Sequence, residues 1–170
     1  MAGLTLEATT VRPEVGSGEV VTWRPELRAD FERLNREWIE RYFEVEPGDL
    51  EVFGDPAAAI VAPGGQIFFV LEAGEVLGTC AVIRRDAETC ELAKMAVAPA
   101  ARGRGHGDRL VRAAIGFARA VGARRLLLVS NTRLGPALTL YRKHGFRDVP
   151  LDPSTGYSRA DIQLELPLDH

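Results

Sequence analysis

Ten residues constrain this chain more than any others. Positions 98–107 read APAARGRGHG, with glycine at 103, 105 and 107 and arginine at 102 and 104. An apolar run over 89–97 precedes them, and an amphipathic stretch over 108–121 follows. The stretch carries a stripe of Leu110, Ala114, Phe117 and Val121, widened by Val111, Ile115 and Ala118. Arg109, Arg112 and Arg119 populate the other side. That spacing is a helix with one buried face. The ten residues therefore form a strand-to-helix turn. Glycine lets a backbone turn sharply and approach a ligand with no side chain in the way. The free N–H groups of a first helical turn converge on one spot, and the helix dipole makes that spot positive. Such a turn binds phosphate or pyrophosphate. Arg102 and Arg104 add positive charge. Asp108 suits the dipole but competes with an anion, so its carboxylate is expected to point away.

Two common phosphate loops are excluded. No G-x-x-x-x-G-K-[ST] string exists. A dinucleotide fingerprint, G-x-G-x-x-G, also fails. Read from Gly103 its third glycine falls on Asp108, and read from Gly105 it falls on Leu110. Ser130 and Asn131 close the next strand, where that fingerprint wants an acid.

The rest of the chain reads as alternating strands and helices. Residues 1–18 are broken by Pro13, Gly16 and Gly18 and are expected to be a tail or a loose first strand. One domain is expected over 19–170. A short strand fits 20–24. Pro25 then suits a helix start, with Phe31, Leu34, Trp38 and Tyr42 at helical spacing. Residues 44–63 read as irregular or a short helix. The almost wholly apolar run 66–73 fits a strand buried on both faces. A strand over 75–85, a tight turn near Ala87-Glu88 and a strand over 89–97 form a hairpin. A two-residue turn would set Cys80 against Met95 and Cys90 against Arg85, so the cysteines are read as small buried hydrophobes. Further on come a strand over 125–130, a helix over 136–144 and a strand over 161–166 with Ile162, Leu164 and Leu166 inward. Gly122 and Gly145 end the two later helices. This order is an α/β or α+β mixed sheet with at least one parallel crossover.

Composition excludes several classes. With 170 residues, 46% of them hydrophobic and 26% charged, the chain can bury a core without disulfides or metals. A formal net charge of -3 rules out a wholesale basic coat for nucleic acid. No apolar run reaches the ~18–20 residues of a membrane helix. Residues 1–10 lack a secretory pattern. A reducing, cytoplasmic setting is expected. His106, His144 and His170 have no metal-ligand spacing, so no metal is expected.

Arg102-x-x-Gly105-x-Gly107 matches the Q/R-x-x-G-x-G/A signature of the GNAT superfamily of N-acetyltransferases. The strand over 91–97 resembles that family's fourth strand. The segment A-L-T-L-Y-R-K-H-G-F over 137–146 is similar to its A-x-x-L-Y-x-x-x-G-F pattern at the expected distance. The likeness runs over about 20–166. It implies an acyl-CoA N-acyltransferase fold: a mixed, mostly antiparallel sheet splayed between its fourth and fifth strands, with flanking helices. Acetyl-CoA would be the cosubstrate. Its pyrophosphate would rest on the backbone of Gly103, Arg104, Gly105, His106, Gly107 and Asp108. Its pantetheine arm would pair with Met95, Ala96 and Val97, and Asn131 would contact that arm.

Acyl transfer needs a neutral amine, donors to the thioester oxygen and a proton for the leaving thiolate. No Cys-His or Ser-His constellation is evident, which favours direct attack within a ternary complex. The resemblance places Tyr141 where the family commonly has the proton donor. It places Glu91 where some members have a base acting through water. An ordered water chain is the alternative base, and an ion-paired glutamate facing Arg84 is the alternative role for Glu91. The N–H near Val97 is the expected oxyanion donor. Trp38, Tyr42 and Phe43 suggest an aromatic lip, Glu44 and Glu46 a pull on a cationic amine, and Tyr157 and Arg159 a second wall. The expected acceptor is a small-molecule amine, with a peptide amine left open. Neither nucleic acid nor membrane is an expected partner, and a homodimer is left open. A non-catalytic acyl-CoA sensor shares the loop and differs in having no need of Tyr141.

Overall fold

The computed structural model describes residues 18–169; residues 1–17, which hold the expected tail, and His170 lie outside it. Seven strands form one sheet in the order β1-β2-β3-β4-β5-β7-β6. They are β1 (Glu19–Thr22), β2 (Gln66–Glu72), β3 (Glu75–Arg84), β4 (Thr89–Val97), β5 (Arg125–Ser130), β6 (Arg147–Val149) and β7 (Ile162–Pro167). Every neighbouring pair is antiparallel except β4 and β5. The helices are α1 (Arg28–Tyr42), α2 (Pro47–Gly54), α3 (His106–Ala120) and α4 (Gly135–Lys143).

The sheet separates two cores, and strand alternation assigns residues to each. In β2, Phe68 and Val70 join Leu110, Ala114 and Leu138 of α3 and α4. Ile67 and Phe69 of the same strand join Phe31 and Phe53 of α1 and α2. Both faces of β2 are thus covered, which is why its sequence is continuously apolar. Cys80 and Cys90 are buried, free and in the α3 core.

Several boundaries differ from the sequence reading for identifiable reasons. The buried α1 stripe is Phe31, Leu34 and Ile39, with Trp38 partly buried against it, while Tyr42 at the end of the helix is exposed. Residues 44–63 contain α2 and a five-residue π-helical turn, Ala57–Val61. Helix α3 starts at His106, two residues early, because Gly105 in the left-handed region delivers the chain directly into it. Strand β6 was not expected; three residues with two exposed carry no apolar signal.

The β3–β4 hairpin corrects the assumed register. Cys90 lies opposite Arg84, not Arg85. The turn is wider than two residues, with the N–H groups of Arg85 and Asp86 both donating to the Thr89 carbonyl (2.9 and 3.3 Å). The register then shifts between Thr79 and Ala81, so that Thr79 pairs with Ala96. The extra residue falls in β4, where Lys94 has φ +54°. A non-glycine residue there is strained, and such bulges redirect a side chain.

Leu110 is fully buried and carries the start of α3 against β3. Leu110→Ala is expected to cost about 2–5 kcal/mol of stability in urea unfolding. A loss below about 1 kcal/mol would show that α3 is not anchored by this residue.

Candidate functional site

Strands β4 and β5 pair at only three positions: Thr89–Arg125, Cys90–Leu126 and Glu91–Leu127. Beyond them β4 pairs only with β3, and β5 only with β7. Two inner backbone edges therefore diverge with no strand between them. A cleft of about 450 Å³ fills the gap. Its walls include Met95, Ala96 and Val97 of β4, Leu128 and Val129 of β5, and Tyr141 of α4.

The glycine turn closes one end. Gly103 and Gly105 have φ +80° and +81°, and a Cβ on either would meet nothing within 4 Å. Glycine is needed there for conformation, and the surface above the turn is open. At Gly107 a Cβ would sit 2.8 Å from Leu140 Cδ2 of α4, so that side chain would have to shift to admit one. The start of α3 leaves backbone N–H groups facing the cleft end, with no intrahelical acceptors for them. Asp108 turns its carboxylate to α4, 2.8 Å from Lys143 Nζ and 2.8 Å from His144 Nε2. Those bonds hold its pKa below the usual carboxylate value.

His106 is buried, and burial together with Arg109 lowers its pKa. Arg109 donates to its Nδ1 (3.1 Å), which places the ring proton on Nε2. That nitrogen lies 3.6 Å from Glu72 Oε2, and Arg104 donates to the same oxygen at 3.5 Å. The buried Nε2 has no hydrogen-bond partner among the described residues, so Glu72 reaches the turn only through that long bond from Arg104. Arg102 is exposed at the cleft rim.

Tyr141 is buried, with its ring 5.9 Å from Phe146. Burial, with a smaller effect from Cys80, pushes its hydroxyl pKa up, so it stays protonated at neutral pH. Glu91 lines the narrow end of the cleft and is paired with Arg85, whose Nε donates to Oε2 at 2.6 Å. Its partner is Arg85, not the Arg84 that the assumed register offered. Asn131 lines the cleft, and its side chain also makes two bonds within the protein. It donates to the Arg159 carbonyl (2.8 Å) and accepts from the Arg133 N–H (2.8 Å). The structure thus gives Asn131 the role of joining the end of β5 to the segment before β7.

The opposite wall brings Trp38, Tyr42, Phe43 and Tyr157 to the same mouth. Behind them lies a charge cluster that sequence reasoning missed. Asp49 of α2 is fully buried and accepts from Arg159 Nη1 (2.8 Å), Arg159 Nη2 (2.7 Å) and Lys94 Nζ. Lys94 also donates to the Tyr157 hydroxyl (3.1 Å). Glu46 accepts from Arg159 (3.2 Å) and from Ser158, so it is spent on the protein rather than on an amine. Two signals were present in the sequence. Glu46-Pro47-x-Asp49 is a capping box with proline at N1, and Asp49 accepts from the Glu46 N–H (2.9 Å). Lys94 is a charge among the apolar residues of the second half of β4, Leu92 to Val97.

Among the described residues, no group of three or more His, Cys, Asp and Glu could hold a metal, and no helix is long and apolar enough to cross a membrane.

A strand-to-helix glycine turn beside a parallel pair that splits open is the arrangement that the resemblance implied. The family model for the acetyltransferase (GNAT) domain matches residues 63–148. The chain belongs to the GNAT acetyltransferase family. Its mostly antiparallel sheet with one parallel pair is the GNAT fold. The chain is 31% identical to the N-acetyltransferase YjgM of Escherichia coli over 115 residues, which is 65% of this chain and 69% of YjgM. It is 35% identical to the mycothiol acetyltransferase of Corynebacterium glutamicum over 80 residues, or 47% of this chain. The match spans only 27% of that longer relative. YncA of Salmonella typhimurium, solved with its cofactor acetyl-CoA, superposes with a TM-score of 0.74 at 18% identity, over 89% of this chain and 94% of that one. At that identity the likeness is one of fold.

Burial alone would raise the Asp49 pKa, but bonds from Arg159 and Lys94 outweigh it and hold the carboxyl down to about 2. A depressed folded value means that stability is fully present above about pH 4 and is lost as pH falls toward 2. Asp49→Asn is expected to flatten that acid limb. It should also cost about 3–5 kcal/mol near pH 7, because Lys94 and Arg159 then lack a buried counter-charge. Urea unfolding across pH checks both; an unchanged acid limb would contradict the role given to Asp49.

Proposed function

We propose that this enzyme transfers the acetyl group of acetyl-CoA directly to a primary amine in a ternary complex. The acceptor is a small-molecule amine, with a peptide amine as the alternative. One observation carries the reading: the split between β4 and β5 opens onto the N-terminus of α3 at one end and onto Tyr141 along its side. One elongated ligand with an anionic end and a reactive thioester fits such a cleft. The backbone of residues 103–108 takes the pyrophosphate, with Arg102 at the rim. The unpaired edge at Met95, Ala96 and Val97 takes the amide arm as a further strand would. The YncA complex supports acetyl-CoA as the donor.

The step balances as follows. The amine nitrogen attacks the thioester carbonyl carbon, and the carbonyl oxygen gathers negative charge beside the Val97 N–H. The C–S bond breaks, and the sulfur takes the proton of the Tyr141 hydroxyl. The amine loses its proton through water to Glu91, whose Oε1 has no hydrogen-bond partner among the described residues. Glu91 then releases its proton to solvent, and solvent returns one to Tyr141. The buried hydroxyl supports the acid role because it is neutral until a thiolate forms beside it.

Gly105→Glu is expected to abolish CoA binding in calorimetry, since a carboxylate would occupy the pyrophosphate position and glutamate resists φ +81°. Unchanged affinity would contradict the loop assignment. Tyr141→Phe is expected to lower kcat for thiol release by roughly 10²–10⁴-fold with CoA affinity retained. Unchanged kcat would give the proton transfer to water instead.

A further inference from the structure

The acceptor mouth is faced with cations. Arg159 lies over the rings of Trp38 (5.6 Å) and Tyr157 (4.5 Å). Lys94 lies over Tyr157 (4.4 Å) and Arg133 over Phe43 (5.8 Å). Ring faces already held by protein cations are poor receptors for a cationic ligand. The charges lining the cleft point the same way. Lys94, Arg102, Arg133 and Arg159 stand against Glu91 and Asp108. Both carboxylates are engaged, Glu91 by Arg85 and Asp108 by Lys143 and His144.

Within this set Arg133 is distinct. Lys94 and Arg159 have Asp49 and Glu46 as counter-charges. Arg133 has no carboxylate within ion-pair distance among the described residues. Its guanidinium makes one long bond, to the Tyr42 carbonyl (3.4 Å), and rests on Phe43. Its backbone is nevertheless fixed. The Arg133 N–H donates to Asn131 Oδ1 (2.8 Å), and the Thr132 N–H and hydroxyl both donate to Asp161 (2.8 and 2.8 Å). A rigid turn thus presents an unneutralised planar fork at the mouth, the geometry that grips a carboxylate by two parallel bonds. Tyr157 adds a donor. It accepts from the Lys94 ammonium, which can only donate, so its own proton is free to point elsewhere.

We propose that the acceptor is an amine that also carries a carboxylate, of the amino-acid class, and that Arg133 selects it. This rests on the cleft being the acetyl-transfer site. Polyamines meet the unneutralised Arg133 and ring faces already held by cations, and are disfavoured.

The test is thiol release from acetyl-CoA with three probes: the mixed free amino acids, the same amino acids as carboxamides, and spermidine. CoA affinity is measured by calorimetry on the same preparations. The expected result is acetylation of free acids at least about tenfold faster than of amides, the scale of one hydrogen bond to a charged group. Spermidine should be slower still. Arg133→Gln should cut the acid-over-amide ratio by about tenfold with CoA affinity unchanged, and Arg133→Lys should restore part of it. Amides or spermidine matching the acids would overturn the proposal. Silence toward all acids with CoA still bound would overturn it too, and so would an unchanged ratio in Arg133→Gln. Failure of the wild-type chain to bind CoA would instead overturn the reading of the cleft.

Discussion

Strands β4 and β5 hold each other through three residue pairs and then part. Everything that gives this molecule a site depends on that short contact. A longer parallel ladder would satisfy both inner edges and leave no cleft. A shorter one would not hold β5, β6 and β7 to the rest of the sheet. The edges left open carry backbone polar groups that must find partners in water or in a ligand. The hydrophobic core on the α3 side buries both Leu126, which still pairs with Cys90, and Leu128, which lies beyond the last pair, so β5 stays packed where its β4-side edge is open.

The two ends of the cleft carry their positive groups in different ways. At one end a helix start and two positive-φ glycines present backbone N–H groups, with the Arg102 side chain at the rim. At the other end Asp49 gathers Lys94 from the β4 bulge and Arg159 from the segment before β7. That carboxylate joins three stretches distant in sequence and sets the aromatic lip upon them. It also neutralises charge that would otherwise be costly to bury. The result is a wall whose ring faces are occupied by cations, with Arg133 left over at the rim.

Much of this was legible in the sequence because it rests on local rules. Glycine spacing between a strand and a helix gave the turn. Period-two and helical spacings gave β2, β3, β4, β5, α3 and α4 nearly to the residue. Tyr141 and Glu91 came from the family resemblance, and the structure sets both on the cleft wall. What escaped depends on long-range geometry. The hairpin register slipped by one because the turn at residues 85–88 is stabilised by bonds to Thr89, which no propensity announces. The partner of Glu91 changed with that register. Asn131 came from the family resemblance and lies on the cleft wall; its bond to the Arg159 carbonyl, across 28 residues of chain, was not legible. The cluster of Asp49, Lys94 and Arg159 spans 110 residues of chain between Asp49 and Arg159, and only folding brings it together.

Amide hydrogen exchange with and without CoA tests the central claim, that this split is a donor-binding cleft, most directly. The account predicts slowed exchange concentrated at Met95–Val97 on the open edge of β4 and at residues 103–108 at the start of α3. Protection confined to other parts of the chain, or none at saturating CoA, would contradict it.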